Sequence, residues 1–350
     1  MDYREYRNGK IIRYLDSLKY GWRKFPPSLQ IALTDKCYNH CSMCGHWKRE
    51  KFYTAKADDL LTFLSMGRTK GLETVCYSGG DPFAYPLGML KRVLRWHVKN
   101  FVRYGFITSG YLRPKFRKDK ELLTLLARAA WIRVSLDAVS EPIYSKIRGG
   151  VKVQEVIDSV RLLSDEDCRI GLGITVQKAN QHHLSDIMEF AYGLRNVNEV
   201  RCWVVRENPD KVPDDVAFVS DIFDRWANIF KHIDVDDNLE GAKRDLVGGE
   251  GEGLPFGRCY ACLYQMFIDA SGEVFPCCII GGDTESNNHG NSFGNIYKKG
   301  WNWRHIWNRA QIYNRRIFKD LPDICQRNCI TRLRTINCYA AKHWNEKHFL

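Results

Sequence analysis

The chain has 350 residues and a formal net charge of +12, from 53 lysines and arginines against 41 acids. With 44% of its residues hydrophobic, it can fill one large domain and a small one, which excludes a disordered or fibrous chain. No run approaches the roughly 18 uncharged apolar residues of a membrane span, and the polar opening "MDYREYRNGK" is not a secretory signal, so a cytoplasmic protein without a membrane partner is expected.

Residues 1–27 read as a helical cap, with Ile11, Tyr14, Leu15 and Leu18 on one stripe. From Ser28 each short apolar run is followed by a helical stretch. The pairs are "LQIALT" with "ADDLLTFLSMGR", "ETVCYS" with "LGMLKRVLRWHV", "YGFITS" with "DKELLTLLARAA", "WIRVSLD" with "VQEVIDSVRLLS", "IGLGITV" with "LSDIMEFAYGL", and "EVRCWVV" with "DDVAFVSDIFDRWANIF". Such alternation requires parallel strands with right-handed crossovers, hence an α/β barrel or open sheet. Six units are fewer than the eight of a closed barrel. The pattern stops near Asp245, and the glycine-rich "LVGGEGEGLPFG" marks a boundary. The expected domains are therefore 1–27, 28–245 and 246–350.

Charge is uneven along the chain. Lys91 to Lys120 holds ten basic residues against Asp119 alone, and Lys298 to Lys319 holds seven against none. Fields of that sign attract phosphates, nucleic acid or acidic peptides. "LKRVLRWHVK" equally fits an amphipathic helix with Leu90, Val93, Leu94 and His97 or Val98 inward. "WNWRHIWNRAQIYNRR" suits packing better than base stacking.

In a reducing compartment the thirteen cysteines are better read as metal ligands, reactive thiols or core filler than as disulfides. Cys76, Cys168 and Cys202 stand alone in strand-like runs and read as filler. In "TDKCYNHCSMCGHW", Cys37, Cys41 and Cys44 follow the first strand, at the carboxyl end where active sites collect in parallel folds. Three thiolates can bind three irons of a cubane and leave the fourth open. The rival is a structural zinc with His40 or His46 as fourth ligand.

With this spacing in this place, the chain resembles the radical SAM superfamily, whose signature is C-x3-C-x2-C after the first strand of a partial six-unit barrel. The resemblance implies a partial (β/α)6 TIM-like barrel and a 4Fe-4S cluster on Cys37, Cys41 and Cys44. It also implies S-adenosylmethionine chelating the open iron, with an electron donor such as flavodoxin or ferredoxin. Cleavage of the sulfonium would give a 5′-deoxyadenosyl radical that takes hydrogen from substrate, chemistry that side chains cannot supply alone. "YSGGDPF" resembles the segment that meets the methionine amino group, placing Gly79, Gly80 and Asp81 there, with aspartate where glutamate is usual. "RVSLDA" offers Ser135 and Asp137 to the ribose or carboxylate side, and Arg148 suits the carboxylate. Ser109 ends the third strand where relatives often carry asparagine. Val176, with Gln177, would flank adenine, and Met43 would lie beside it.

"CYACLYQMFIDASGEVFPCC" and "PDICQRNC" resemble the SPASM or twitch extension, implying one auxiliary 4Fe-4S cluster. Cys262, Cys277 and Cys329 are first choices as ligands, with Cys259 or Cys325 as the fourth; zinc is the alternative. Cys278 and Cys338 are structural or peripheral. About thirty residues precede the first strand, so no cobalamin-binding domain is expected ahead of it. The resemblance implies oxidation, crosslinking, epimerisation or rearrangement of a peptide or small natural product, whereas the basic segments favour an anionic nucleotide or nucleic acid. A non-catalytic, zinc-stabilised nucleic-acid-binding protein is the competing function.

Overall fold

A computed structural model describes residues 25–205, 211–229, 234–235, 259–282 and 291–314. The cap helix, the glycine-rich boundary, and Cys325, Cys329 and Cys338 lie outside the described residues. The chain divides into two compact units. The larger comprises Leu33–Thr54 and Cys76–Glu250; the smaller comprises Met1–Ala32, Ala55–Val75 and Gly251–Leu350. The division is not linear in sequence: it cuts β1 (Ser28–Thr34) and β2 (Thr74–Gly79).

After β2 the larger unit continues, in hydrogen-bonding order, with β3 (Arg103–Thr108), β4 (Trp131–Ser135), β5 (Ile170–Val176), β6 (Val197–Val204) and β7 (Asp234–Val235). From β3 onward every pair is parallel. The connecting helices are α1 (Ala57–Thr69), α2 (Leu87–Asn100), α3 (Pro114–Arg117), α4 (Lys120–Ala127), α5 (Glu141–Ile147), α6 (Val153–Asp165), α7 (Leu184–Tyr192) and α8 (Val216–Ile229). All six expected strand–helix units are present. β7 has no apolar run to announce it. Among the described residues the strands do not close into a barrel, so the fold is mixed α/β with a parallel sheet.

Tyr77 of β2 and Tyr104 and Phe106 of β3 are buried, with His97 of α2 among them. The Tyr77 hydroxyl lies 2.6 Å from His97 Nε2, and His97 Nδ1 lies 2.9 Å from the Val102 carbonyl. A carbonyl only accepts, so Nδ1 carries the proton and Nε2 receives the tyrosine's. Burial pushes the His97 pKa down to about 3, leaving a neutral ring. Fully burying a large apolar side chain stabilises by about 1.5–3 kcal/mol, which explains why α2 turns Leu90, Val93, Leu94 and His97 inward as its spacing requires.

The outer face of α2 is partly neutralised. Lys91 reaches Asp119 at 2.7 Å and Glu121 at 3.2 Å, and Arg95 forks onto Glu121 at 2.6 and 2.9 Å. Glu121 stands one residue beyond the basic run, so the run's charge is less available than a count suggests. Cys76, Cys168 and Cys202 are buried, as filler would be. No described helix is long and apolar enough to cross a membrane.

In the smaller unit β1 pairs in parallel with β8 (Gln265–Ile268), which turns back into β9 (Glu273–Phe275), with β10 (Gly294–Asn295) outside. Asp269 shapes the hairpin by accepting from the backbone N–H groups of Ser271 and Glu273. Gly272 sits at φ +90°, where a side chain would also strike the Tyr297 ring. The remaining helices are α9 (Ala261–Tyr264), α10 (Cys278–Gly282) and α11 (Trp303–Asn314). α11 buries Trp303, Ile306, Trp307, Ala310 and Tyr313, so its aromatic residues pack.

Candidate active site

The chain leaves β1 at Thr34 and is clasped at once. Asp35, buried, pairs with Arg49 at 2.8 Å and accepts from the Tyr53 N–H at 3.0 Å, closing the base of the cysteine loop. Inside that clasp the loop is pinned by the end of α5. The N–H groups of His40 and Ser42 donate to the carbonyls of Arg148 and Ile147, at 2.9 and 2.8 Å. Asn39, buried between the first two cysteines, donates to the Tyr144 hydroxyl and accepts from the Val151 N–H. Gly150 makes this approach possible. It adopts φ +83°, and a Cβ there would lie 2.1 Å from the Tyr38 carbonyl oxygen.

Cys41 is buried, while Cys37 and Cys44 are half-buried. The Asn39 N–H points at Cys37 Sγ from 3.4 Å, and Arg148 Nη1 lies 3.8 Å from Cys41 Sγ. Burial pushes the Cys37 thiol up to about 12, with Asp81 adding to the rise. Burial also raises Cys41, against the pull of Arg148. Without metal these two thiols keep their protons at neutral pH, and metal binding releases them.

Gly80 carries β2 against the loop. A Cβ on it would lie 2.3 Å from the Asp35 carbonyl oxygen, and the Gly80 and Asp81 N–H groups donate to the carbonyls of Thr34 and Lys36, both at 2.8 Å. Gly79 has φ +120°. The Asp81 carboxylate is wholly buried and takes four donors: the N–H of Phe83, the Thr108 hydroxyl, and the N–H and hydroxyl of Ser109, the last at 2.5 Å. Burial raises its pKa; the Ser109, Phe83 and Thr108 donors oppose the rise. Asp81 and Ser109, both expected at the site, thus hold each other.

Asp137 and Arg148 are similarly joined. Arg148 Nε and Nη2 both lie 2.8 Å from Asp137 Oδ2, and Oδ1 accepts from the Thr175 N–H at 2.7 Å. Burial raises the Asp137 pKa against Arg148. Burial works against the Arg148 charge, but Asp137, Cys41 and Tyr144 together outweigh it and the Arg148 pKa rises. Asn180, which sequence reasoning missed, ties the Asp137 carbonyl to that of Thr175 and receives the Gln177 N–H. Val176 and Gln177 are buried, and Gln177 Nε2 has no hydrogen-bond partner. Met43 and Ser135 are half-buried. Lys211, also missed, donates to the Ser42 carbonyl at 3.0 Å. Arg148 was expected at the site, but nothing local signalled the pinning of the loop by α5, or Asn180 or Lys211.

Among the described residues no three His, Cys, Asp or Glu side chains converge on one ion site. A mononuclear zinc needs such convergence at about 2.3 Å per sulfur, whereas a cubane takes one thiolate per iron. His46, weighed as a zinc ligand, has its pKa lowered to about 4 by burial and the nearby Arg49, and its Nδ1 is buried without a partner. The donor set of three loop sulfurs suits a cluster.

In the smaller unit Cys262, on α9, is wholly buried, and its thiol donates to Asn314 Oδ1 at 2.9 Å. Burial raises its pKa, and neighbouring Cys259 adds to the effect. Cys277 and Cys278 pack against an apolar group of Ala32, Phe267, Ala270, Phe275 and Ile280. The expected partners Cys325 and Cys329 lie outside the described residues.

Residues 31–191 match the model of the radical SAM superfamily, and residues 259–330 match that of SPASM, an iron-sulfur cluster-binding domain. A probable GTP 3′,8-cyclase of Saccharolobus solfataricus is 28% identical over 180 residues, 49% of this chain and 54% of that protein. Its Archaeoglobus fulgidus counterpart is 23% identical over 192 residues, 52% and 60% of the two chains. The chain therefore spans only a little over half the length of these curated relatives. Streptococcus suis SuiB bound to S-adenosylmethionine shares the fold with TM-score 0.61 and 17% identity, over 85% of this chain and 69% of SuiB. So does anSMEcpe with bound AdoMet, with TM-score 0.62 and 15% identity, over 83% and 82%.

Proposed function

Because this chain is a radical SAM superfamily enzyme with a C-terminal SPASM domain, and so binds S-adenosylmethionine and 4Fe-4S iron, we propose that Cys37, Cys41 and Cys44 are the protein ligands of its first cluster. One observation carries this: three thiols on a clasped loop at the carboxyl end of β1, pinned through backbone by α5 and contacted by β2. When bound, the cluster and S-adenosylmethionine supply a reducing electron and a carbon radical that amino acids lack.

The chain's own residues arrange the surroundings. The Gly79–Gly80 backbone lets the methionine end of the cofactor come close, and Asp81 fixes that turn to the end of β3. The Asp137–Arg148 pair ties the end of β4 to α5 and keeps a guanidinium beside Cys41. Val176, the Gln177 amide and Met43 form the apolar and donor surroundings of the adenine. Cys262, Cys277 and Cys329, with Cys259 or Cys325 as the fourth ligand, are proposed for one auxiliary cluster. Hydrogen abstraction then leads to oxidation, crosslinking, epimerisation or rearrangement of a peptide, a small natural product or an anionic nucleotide, in the cytoplasm, with a flavodoxin or ferredoxin as electron donor.

Anaerobic reconstitution tests the reading. Reduced protein should convert S-adenosylmethionine slowly to 5′-deoxyadenosine without substrate, and carry about eight irons per chain, four per cluster. Stoichiometric zinc with no cleavage would support a nucleic-acid-binding module and overturn the proposal.

A further inference from the structure

Parallel sheets are usually covered on both faces. In the larger unit one face of β4 and β5 is fully buried, through Ile132, Val134, Leu172 and Ile174. The opposite face of β4 and β6 stays partly open, and it is polar: Arg133, Ser135, Glu199 and Arg201 are half-buried, and Trp203 is 38% exposed. The register stacks them in rows. Arg133 stands opposite Gly171 and Gly171 opposite Glu199; Ser135, Gly173 and Arg201 form the next row.

The two glycines on β5 give the side chains room. A Cβ on Gly171 would lie 3.2 Å from Glu199 Oε2, and one on Gly173 would lie 3.1 Å from the Trp203 ring and 3.4 Å from Arg133 Cδ. Arg133 therefore crosses β5 over bare backbone, and its Nη2 reaches Glu199 Oε2 at 3.0 Å. The other carboxylate oxygen, Oε1, is taken by Arg201. One carboxylate is thus divided between two guanidiniums. Among the described residues Arg133 Nε is buried with no hydrogen-bond partner, and an unmet buried donor is costly.

We infer that Arg133 and Arg201 form a subsite for an oxyanion of the substrate, a phosphate or carboxylate group, with Trp203 beside it. Guanidiniums fork onto such groups, and an incoming oxyanion supplies the acceptor that Arg133 Nε lacks. Arg133 lies two residues, about 7 Å, before the end of β4. A substrate anchored there by its charged group extends toward the strand ends, where the cysteine loop begins. This inference deepens the radical SAM reading and rests on it, since it names the substrate's anchoring group.

The test is calorimetric titration of the reconstituted holoenzyme, in phosphate-free buffer of low ionic strength, with inorganic pyrophosphate and with succinate. One probe should bind saturably: pyrophosphate alone identifies a phosphate group, succinate alone a carboxylate. Arg133→Lys, which removes the Nε donor and the fork, should weaken binding about tenfold. Glu199→Gln, which removes the competing carboxylate, should tighten it severalfold. Should Arg133→Lys fail to fold, Glu199→Gln and Arg201→Lys decide by the same readout, with opposite signs expected. Wild-type protein that cleaves S-adenosylmethionine but binds neither probe, or variants that bind like wild type, overturn this subsite alone. Absence of cleavage overturns the enzyme reading instead.

Discussion

The two cysteine groups are built on opposite plans. Cys37, Cys41 and Cys44 lie within eight residues, on a loop whose shape is fixed by backbone hydrogen bonds and one clasp. The second group, as proposed, combines a helix turn and a hairpin end with cysteines far along the sequence, and Cys262 is buried and bonded to Asn314. A site gathered by one loop takes its geometry from nearby residues. A site gathered from separated segments takes it from the packing of a whole unit.

Substitution separates the two plans. The largest effect is expected for Cys41→Ala: formation of 5′-deoxyadenosine falls below detection by liquid chromatography, because no other described thiol can take its place. For Cys262→Ala, iron content should drop from about eight to about four per chain, read by metal analysis, and the lost packing should lower thermal stability. Equal iron loss in both variants would erase the distinction between the plans.

Asp81→Ala probes how firmly β2 is held to the end of β3. It strands buried donors on Phe83, Thr108 and Ser109, and a loss of about 3 kcal/mol is expected in urea unfolding.

The effect of His97 depends on pH. Its folded pKa of about 3 lies below its ordinary 6.5, so the unfolded chain takes up the proton first. The stabilisation is whole above pH 6.5 and is lost as pH falls toward 3. Between pH 7.5 and 5 wild type should lose about 2 kcal/mol more than His97→Gln, measured by urea titration at each pH. An identical pH response in both proteins would mean that His97 is not held neutral. The smallest change is expected for Arg95→Ala, whose exposed pair with Glu121 should move the melting temperature little.

The first six strands were legible because each is built on an apolar run bounded by polar loops, and the cysteine loop because its spacing lies in one short segment. The partners were not. Asp81 meets Thr108 and Ser109 from a strand 27 and 28 residues away, and no local pattern signals such a pairing. Asp137 and Arg148 were both expected at the site, but their bond to each other emerges only when β4 and α5 fold together. Two charges of the basic run, Lys91 and Arg95, are paired with Asp119 and Glu121, the latter standing just outside it. The polar face of β4 and β6 did leave a trace: "WIRVS" and "EVRCWV" alternate charged and apolar residues where a doubly covered parallel strand would read as continuously apolar.

The Asp35–Arg49 clasp joins residues 14 apart, so the polypeptide alone already meets the entropic cost of closing that segment. That closure is made by side chains other than the three thiols, so replacing a cysteine leaves the clasp itself in place.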